Sequence, residues 1–419
     1  MYFSLLSPFF IDFLITIPMH LKFDTKQDNC PVIVSVKRTP IGSFKGIFKD
    51  LSTVDLASHA LSGALADVKT TENKSFDITS QLSELYLGNV LSAGQGQNPA
   101  RQVIDKVGLP PIPCSNINKV CSSSMKALGI ACAQIACGDS GFIAAVGAES
   151  MSNSPMLVDR RFKGPRGLDP NFSIKDSMTL DGLIDAGSGE HMGIIADDLA
   201  ISMQITRIEQ DDYAVRSYLL ARQNTELGVF NKEIVPIRVN GRMIKQDEDV
   251  TKFDEAKLRS LNPVFRPPEM TGSVTAANAS GLNDGASACI VCSKATALKN
   301  NLKIKAFITE FADNEEGNPK DYTIAPVKLI NLFPEADVYE INEAFSIVAL
   351  ANMKLGKIAK EKVNVLGGAV AMGHPIGASG LKIVGTLINA LGECDKQTGV
   401  AVLCNGGGGA SGVALQLTE

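Results

Sequence analysis

Cys121, Asn342, His374 and Cys404 are the side chains in this sequence with the types and surroundings for covalent chemistry. His374, one of four histidines, lies in Gly367-Gly-Ala-Val-Ala-Met-Gly-His-Pro-Ile-Gly-Ala-Ser-Gly380. Glycine lets backbone approach a ligand and take angles that other residues avoid. Cys121 follows Ile117-Asn-Lys-Val120, read as a short strand. It precedes Ser122 to Cys137, whose small and apolar residues recur at helical spacing. Partial positive charge at a helix N-terminus favours a thiolate; an inert buried cysteine is the bland alternative. Cys404 opens Cys404-Asn-Gly-Gly-Gly-Gly-Ala-Ser411. The N–H groups of that run could hold an oxyanion or another anion, or the glycines could simply turn the chain. Two thiols and an imidazole, far apart in sequence, suit acyl transfer. One thiolate accepts the acyl group, and a second base serves carbanion chemistry at an α-carbon.

These positions need a scaffold. The chain has 419 residues, enough for two or three domains or one large composite body. Pro31 to Val36 reads as a buried strand, Asp55 to Val68 as a helix, Glu84 to Val90 as a strand and Ala100 to Val107 as a helix. Phe142 to Val146 returns as a strand, and such alternation argues for α/β layers. From about residue 151 to 271 charge rises and the pattern loosens, which reads as an insertion over the main body, with helices at Gly193 to Ser202 and Glu209 to Gln223. A second half contains a strand at 304–311, a helix at 326–332, a strand at Val338-Tyr-Glu-Ile341 and a helix from Ala344 to Met353. Cys121 and Asn342 stand at similar strand-to-helix junctions, a weak echo between the halves.

Some chemistries are disfavoured. A net charge of −5 gives no global signal for nucleic acid. Nine scattered cysteines do not suggest a disulfide framework. Cys289-Ile-Val-Cys292 sits in an apolar run, where residues three apart on a strand face opposite ways. Gly94-Gln-Gly96 lacks a third glycine and does not make a dinucleotide fingerprint. Residues 1–30 read as a disordered or loosely attached leader, or as an upstream extension with Met19 as the working start. Asp12, Pro8 and Pro18 interrupt its apolar run, so it makes a poor signal peptide or membrane span.

Asn118-Lys-Val-Cys121-Ser-Ser-Ser-Met-Lys-Ala127, Asn342-Glu-Ala-Phe345, Gly373-His-Pro-Ile-Gly-Ala-Ser-Gly380 and Cys404-Asn-Gly-Gly-Gly-Gly-Ala-Ser411, in that order, resemble the thiolase family from about residue 31 onward. Gly147-Ala-Glu-Ser-Met151, His191-Met-Gly193 and Val274 to Gly285 agree. The resemblance implies an α/β thiolase fold. Two similar βαβαβαββ halves, 31–296 and 297–419, would form a five-layered α-β-α-β-α body carrying the inserted loop domain. It implies reversible condensation of two acetyl-CoA to acetoacetyl-CoA plus CoA, within fatty acid and ketone body metabolism. A longer-chain 3-ketoacyl-CoA thiolase and a non-catalytic acyl-CoA-binding protein are the alternatives.

The roles implied are these. Cys121 is the nucleophile, His374 its base, and Cys404 the acid/base for the second acetyl-CoA. Asn342, through a water, and His374 form one oxyanion site; the N–H groups of Cys121 and Gly406 form the other. Tyr218, Lys252, Phe253, Asp254, Lys257 and Ser280 contact coenzyme A, with His191, Met192, Ala344 and Phe345 along the pantetheine tunnel. No covalent cofactor is implied. A potassium ion on Ala276, Ala277, Ala279 and Val370 beside Tyr218, a homotetramer built as a dimer of dimers and a mitochondrial rather than cytosolic location complete the expectation. Ser124 stands where the family pattern has glycine, which puts the tightness of the acyl pocket in question.

Overall fold

The computed structural model describes residues 19–139, 141–158, 163, 164, 167, 168 and 173–418. Its principal strands are β1 (Met19–Lys22), β2 (Pro31–Arg38), β3 (Gly42–Ser43), β4 (Leu82–Gly88), β5 (Cys114–Ile117), β6 (Phe142–Ser150), β7 (Asn283–Ser293), β8 (Ala306–Glu315), β9 (Val338–Ile341), β10 (Thr398–Asn405) and β11 (Gly409–Leu417). They join in one hydrogen-bonded path, β9-β10-β11-β8-β2-β7-β6-β4-β5, with β1 on β8 and β3 on β7. The join between the halves is narrow. Only Ala306 and Phe307 of β8 pair with Ile33 and Val32 of β2. Each half therefore keeps its own sheet. In the first, β4, β5 and β6 run parallel; in the second, β9 and β10 do.

The helices are α1 (Thr53–Asp67), α2 (Pro99–Val107), α3 (Ser123–Ala136), α4 (Met192–Met203), α5 (Arg207–Glu226), α6 (Glu255–Ser260), α7 (Lys294–Lys299), α8 (Pro326–Leu332), α9 (Ser346–Gly356), α10 (Ala369–Met372) and α11 (Ser379–Glu393). Local chemistry sets their ends. Ser52 and Asp55 form a capping box on α1, and Thr206 and Glu209 form one on α5. Pro99 opens α2, and Gly108 closes it at φ 77°.

Three apolar clusters define the layers. The central one holds Met125, Leu128 and Ile135 of α3 with Leu381, Val384 and Leu387 of α11, between strands of both halves. A second packs α1 and α2 on the outside of the first sheet, and a third packs α8 and part of α9 outside the second. The order is helix, sheet, paired helices, sheet, helix, as the family resemblance implied. Cys289 belongs to the central cluster and Cys292 to the outer one, so the C-x-x-C pair faces opposite ways, as read from the sequence.

Three expectations shift. The strand read at 117–120 ends at Ile117, and Asn118–Ser122 is an elbow. The helix read from Ala344 starts at Ser346. Its expected first turn is instead laced to another loop: Ser280 N–H donates to Ala344 O at 3.0 Å, and Ser346 N–H to Asn278 O at 2.8 Å. The echo between the halves pairs Cys121–α3 with His374–α11, both feeding the central layer, rather than with Asn342–α9, which lies outside it. The leader expected over 1–30 holds a correction too. Residues 1–18 lie outside the described residues, but Met19–Lys22 pairs antiparallel with Asp313–Glu310, so the chain is attached from Met19 onward.

Candidate active site

The elbow at Cys121 is strained. Val120 sits at φ 49°, left-handed backbone that a β-branched residue rarely takes. Three bonds hold it there. Val120 N–H donates to Asn118 Oδ1 at 2.9 Å, Ser123 Oγ donates to Val120 O at 2.6 Å, and Lys119 N–H donates to Ser123 Oγ at 2.9 Å. The Cys121 thiol then meets two N–H donors, those of Gly406 and of Cys121 itself. Both favour thiolate. Burial opposes them and wins, pushing the thiol up to about 11. The expectation of a thiol acidified by α3 is therefore overturned. Cys121 precedes the helix by two residues, and desolvation of the charged form outweighs what the helix end offers.

His374 is fixed from behind. Gly373 takes φ 98°, and a Cβ there would lie 2.6 Å from the Asn283 side chain. That close approach lets His374 N–H donate to Asn283 Oδ1 at 2.9 Å. Ser379 Oγ lies 2.6 Å from Nδ1 and donates its one proton to Pro375 O at 2.9 Å. The hydroxyl is left to accept from Nδ1–H, so Nε2 is bare. Nε2 has no partner among the described residues. Burial, then the nearby Lys382 charge, lowers the imidazole to about 3. It waits neutral, as a base must. The Asn342 amide lies 3.5 Å from Nδ1, and its Oδ1 is also buried without a partner.

Two buried carboxylates brace these loops. Glu149 accepts from the N–H groups of Val90, Leu91 and Gly377, each at 3.0 Å, so it anchors the histidine loop to the first half. Burial raises it to about 7. Glu343 accepts from Tyr213 Oη, Ser217 Oγ and Asn364 Nδ2 at 2.8 Å and from Val370 N–H at 3.0 Å. Glu343→Ala would strand three buried donors, Tyr213 Oη, Ser217 Oγ and Val370 N–H, while Asn364 Nδ2 keeps Ile341 O. We expect it to lower the free energy of unfolding by ~3–5 kcal/mol, read from urea denaturation.

Cys404 is the last but one residue of β10, opposite Ala410 in the ladder. Burial, then the neighbouring Cys121, pushes its thiol well above the ordinary range. Cys121, His374, Cys404 and Gly406 line one cavity of about 380 Å³, together with His191, Met192, Ala279, Ser280, Ala344 and Phe345. Asn342 borders it through His374. An adjoining groove of about 360 Å³ gathers Tyr218, Lys252, Phe253, Asp254, Lys257, Ala276, Ala277 and Val370. Ala276, Gly281 and Leu282 line both spaces, so the groove continues into the cavity.

The expected contact residues thus divide between an outer groove and an inner cavity. Tyr218 stacks on Phe253 at 4.8 Å, and His191 on Phe265 at 4.5 Å. His191 Nδ1 accepts from Gly193 N–H at 3.1 Å and caps α4; burial lowers its pKa. Asp254 caps α6 through Lys257 N–H at 3.0 Å. Lys252 is not a freely solvated lysine. Its ammonium bonds Glu248 at 2.9 Å and Asp249 at 3.4 Å, and also Ser43. Of the expected potassium carriers, Ala279 alone is set apart on the inner cavity. Ser124 does not line the cavity. Its hydroxyl accepts from Leu381 N–H at 3.2 Å, and Gly147 leaves room for its Cβ. Sequence reasoning missed Phe265 and Tyr322. The buried Tyr322 hydroxyl donates to Met192 O at 2.9 Å and holds the start of α4 at the cavity wall.

Residues 31–295 match the thiolase N-terminal domain, and residues 302–417 match the thiolase C-terminal domain. The chain belongs to the thiolase family. This thiolase is 41% identical over 402 residues to the acetyl-CoA acetyltransferase of Candida albicans, covering 92% of this chain and 97% of that one. It is 41% identical over 399 residues to the human mitochondrial acetyl-CoA acetyltransferase, covering 92% and 90%. Among solved structures, the Acat5 thiolase of Ascaris suum in complex with coenzyme A superposes with a TM-score of 0.85 at 38% identity, covering 93% of this chain and all of that one. Human mitochondrial 3-ketoacyl-CoA thiolase with CoA gives 0.85 at 31% identity, covering 93% and 98%. This thiolase therefore carries the family's layered fold and is an acyltransferase.

Proposed function

We infer that the protein is an acetyl-CoA C-acetyltransferase, and that Cys121, His374 and Cys404 do its chemistry. The observation that carries the reading is their convergence on one cavity, with Gly406 N–H directed at the Cys121 sulfur. The proton bookkeeping follows from the resting states. His374 Nε2 takes the Cys121 proton as sulfur attacks the acetyl carbonyl. The N–H groups of Cys121 and Gly406 hold the oxyanion, a contribution of ~3–4 kcal/mol per donor. The C–S bond to CoA breaks. Cys404 rests protonated, so its first act is to give its proton to the departing CoA sulfur. It is then a thiolate beside acetyl-Cys121. It removes an α-proton from the second acetyl-CoA, whose carbon attacks the acetyl carbonyl and expels Cys121. His374 returns its proton to that sulfur. Two acetyl-CoA become acetoacetyl-CoA and CoA, and thiolysis is the reverse. Once Nε2 has taken the Cys121 proton, His374 and a water held by Asn342 would supply the donors that the enolate oxygen of the second acetyl-CoA needs.

CoA would lie along the outer groove, between Lys257 and the stacked Tyr218–Phe253 pair, with its pantetheine passing Ser280, His191, Met192, Ala344 and Phe345. Potassium near Tyr218, Ala276, Ala277 and Val370 belongs to the same proposal, supported by their grouping in that groove. A mitochondrial location rests on the mitochondrial relatives. A homotetramer is supported by the exposed apolar residues Met156, Val158 and Ile174 on two paired strands of the insertion. The test is thiolysis of acetoacetyl-CoA against a long-chain 3-ketoacyl-CoA, with and without potassium. We expect kcat/KM to favour acetoacetyl-CoA by about 100-fold, the scale on which an apolar pocket discriminates between chain lengths. Comparable values would replace this reading with the longer-chain one.

A further inference from the structure

The proposed chemistry spans two halves of the molecule that pack through the central helices α3 and α11 but whose sheets pair only at Ala306–Phe307 with Ile33–Val32. Cys121 belongs to the first half; Cys404 and Gly406 belong to the second. Something must hold the two sulfurs in register, and the Lys119 side chain crosses the gap at that point. Its Nζ donates to Ala410 O at 3.3 Å and to Ser411 Oγ at 3.1 Å, and it pairs with Asp313 at 3.2 Å and Glu315 at 3.0 Å. All four partners lie on β8 and β11. Ala410 is the residue directly opposite Cys404 in the β10–β11 ladder. Lys119 is two residues before Cys121, across the strained Val120. One ammonium thus links the backbone that carries the nucleophile to the backbone facing the second thiol.

Asp313 makes the link firm. Its other oxygen accepts from Lys126 Nζ of α3 at 2.7 Å, and Ser411 Oγ bonds it as well. Lys119 and Lys126, and the Ser411 hydroxyl, together hold the Asp313 carboxyl below the usual range against the pull of burial. The Lys119 side chain is 18% exposed and that of Asp313 11%, so water screens the pair little. A left-handed Val120 persists only if its surroundings over-determine it. Asn118 and Ser123 do this from inside the elbow, and Lys119 does it from outside.

We propose that Lys119, seated on Asp313, is a positioning residue that sets the spacing between Cys121 and the Cys404–Gly406 turn. The proposal rests on the acyl-transfer reading of those residues, but its test does not depend on turnover. Dibromobimane, a short bis-alkylator, is applied to wild type, Lys119→Met and Lys119→Arg. Bridged peptides are mapped, and Cys404→Ala supplies the background. Single alkylation of Cys121 by iodoacetamide and the melting temperature are followed in parallel. In Lys119→Met we expect Cys121–Cys404 bridging and kcat each to fall more than about ten-fold, the scale of a misplacement near 1 Å. KM for acetoacetyl-CoA and single alkylation stay within about two-fold, because the CoA groove and the thiol itself are untouched. Lys119→Arg, which keeps the charge and its reach, restores both. Unchanged bridging in Lys119→Met would overturn the proposal. So would a loss that tracks melting temperature and is not rescued by arginine. A wild type that bridges but does not turn over acetoacetyl-CoA would fault the proposed substrate instead and leave the staple standing.

Discussion

Cys121→Ala should abolish acetyl transfer, and Cys404→Ala should abolish condensation while leaving Cys121 able to take an acetyl group. The two substitutions are alike in size and both fall on the same cavity, so the difference between them reports chemistry rather than packing. Without the Cys121 sulfur there is no atom to carry the acetyl group. The loss should be about 10⁴-fold or more in either direction, as when other covalent nucleophiles are removed. With radiolabelled acetyl-CoA, the Cys121 variant should retain no label after denaturation. In Cys404→Ala the nucleophile, its base and the Cys121–Gly406 donor pair remain. What is lost is the acid that meets the departing CoA sulfur. A thiol ionises near pH 8.5 unaided, so CoA can leave as thiolate and acylation slows without stopping. The α-proton of the second acetyl-CoA has no such escape. Condensation should fall by ~10³–10⁴-fold, the upper range for a positioned acid–base group. Label retained on Cys121 with no acetoacetyl-CoA formed is the expected outcome. An unlabelled Cys404→Ala enzyme would show that the two thiols do not divide the work this way.

What could be read in the sequence follows a physical pattern. Cys121, His374 and Cys404 were legible because chemistry beside backbone demands small residues, and such runs stand out. The layers were legible where periodicity was strong, as in α1 and β2. The elbow was not. Val120 looks like a strand residue, and nothing local announces that Asn118 and Ser123 will trap it at positive φ. The start of α9 was misread because Ala344 and Phe345 suit a helix, while the contacts of Ser280 and Asn278, far away in sequence, hold them in a loop. Phe265 lies among prolines with no repeating pattern, and Tyr322 in a short turn; only the fold brings them to the cavity. Met19–Lys22 is too short for periodicity to speak, and it becomes a strand only because β8 offers an edge where β2 leaves it. The Cys121 thiol shows the limit most clearly. A helix end can be foreseen from sequence, but the desolvation that outweighs it depends on what packs around the sulfur.

His374→Asn should lose acylation while becoming less sensitive to acid. The first part follows from the bare Nε2. Burial keeps the Cys121 thiol protonated up to about 11, so at neutral pH the nucleophile exists only if a base removes the proton during attack. Asparagine occupies similar space but cannot do this. Acetyl labelling should slow by ~10²–10⁴-fold. The second part follows from linkage. His374 is held at about 3 in the fold, whereas the unfolded chain would take up its proton near 6.5. Between those values the unfolded state binds more protons, so wild-type stability falls as pH falls. Glu149 works in the opposite sense. Raised to about 7, it binds a proton in the fold below that pH, and this favours the native state on acidification until the unfolded carboxyl also protonates near 4.5. The two partly cancel in wild type. Removing His374 leaves the Glu149 effect uncovered. From pH 6.5 to 5 the variant should gain ~2 kcal/mol relative to wild type, since each unit of unshared titration is worth about 1.4 kcal/mol. Urea unfolding at the two pH values measures this directly. A constant difference between variant and wild type across that window would mean that the buried imidazole is not neutral at rest, and the role given to it as base would fall with that.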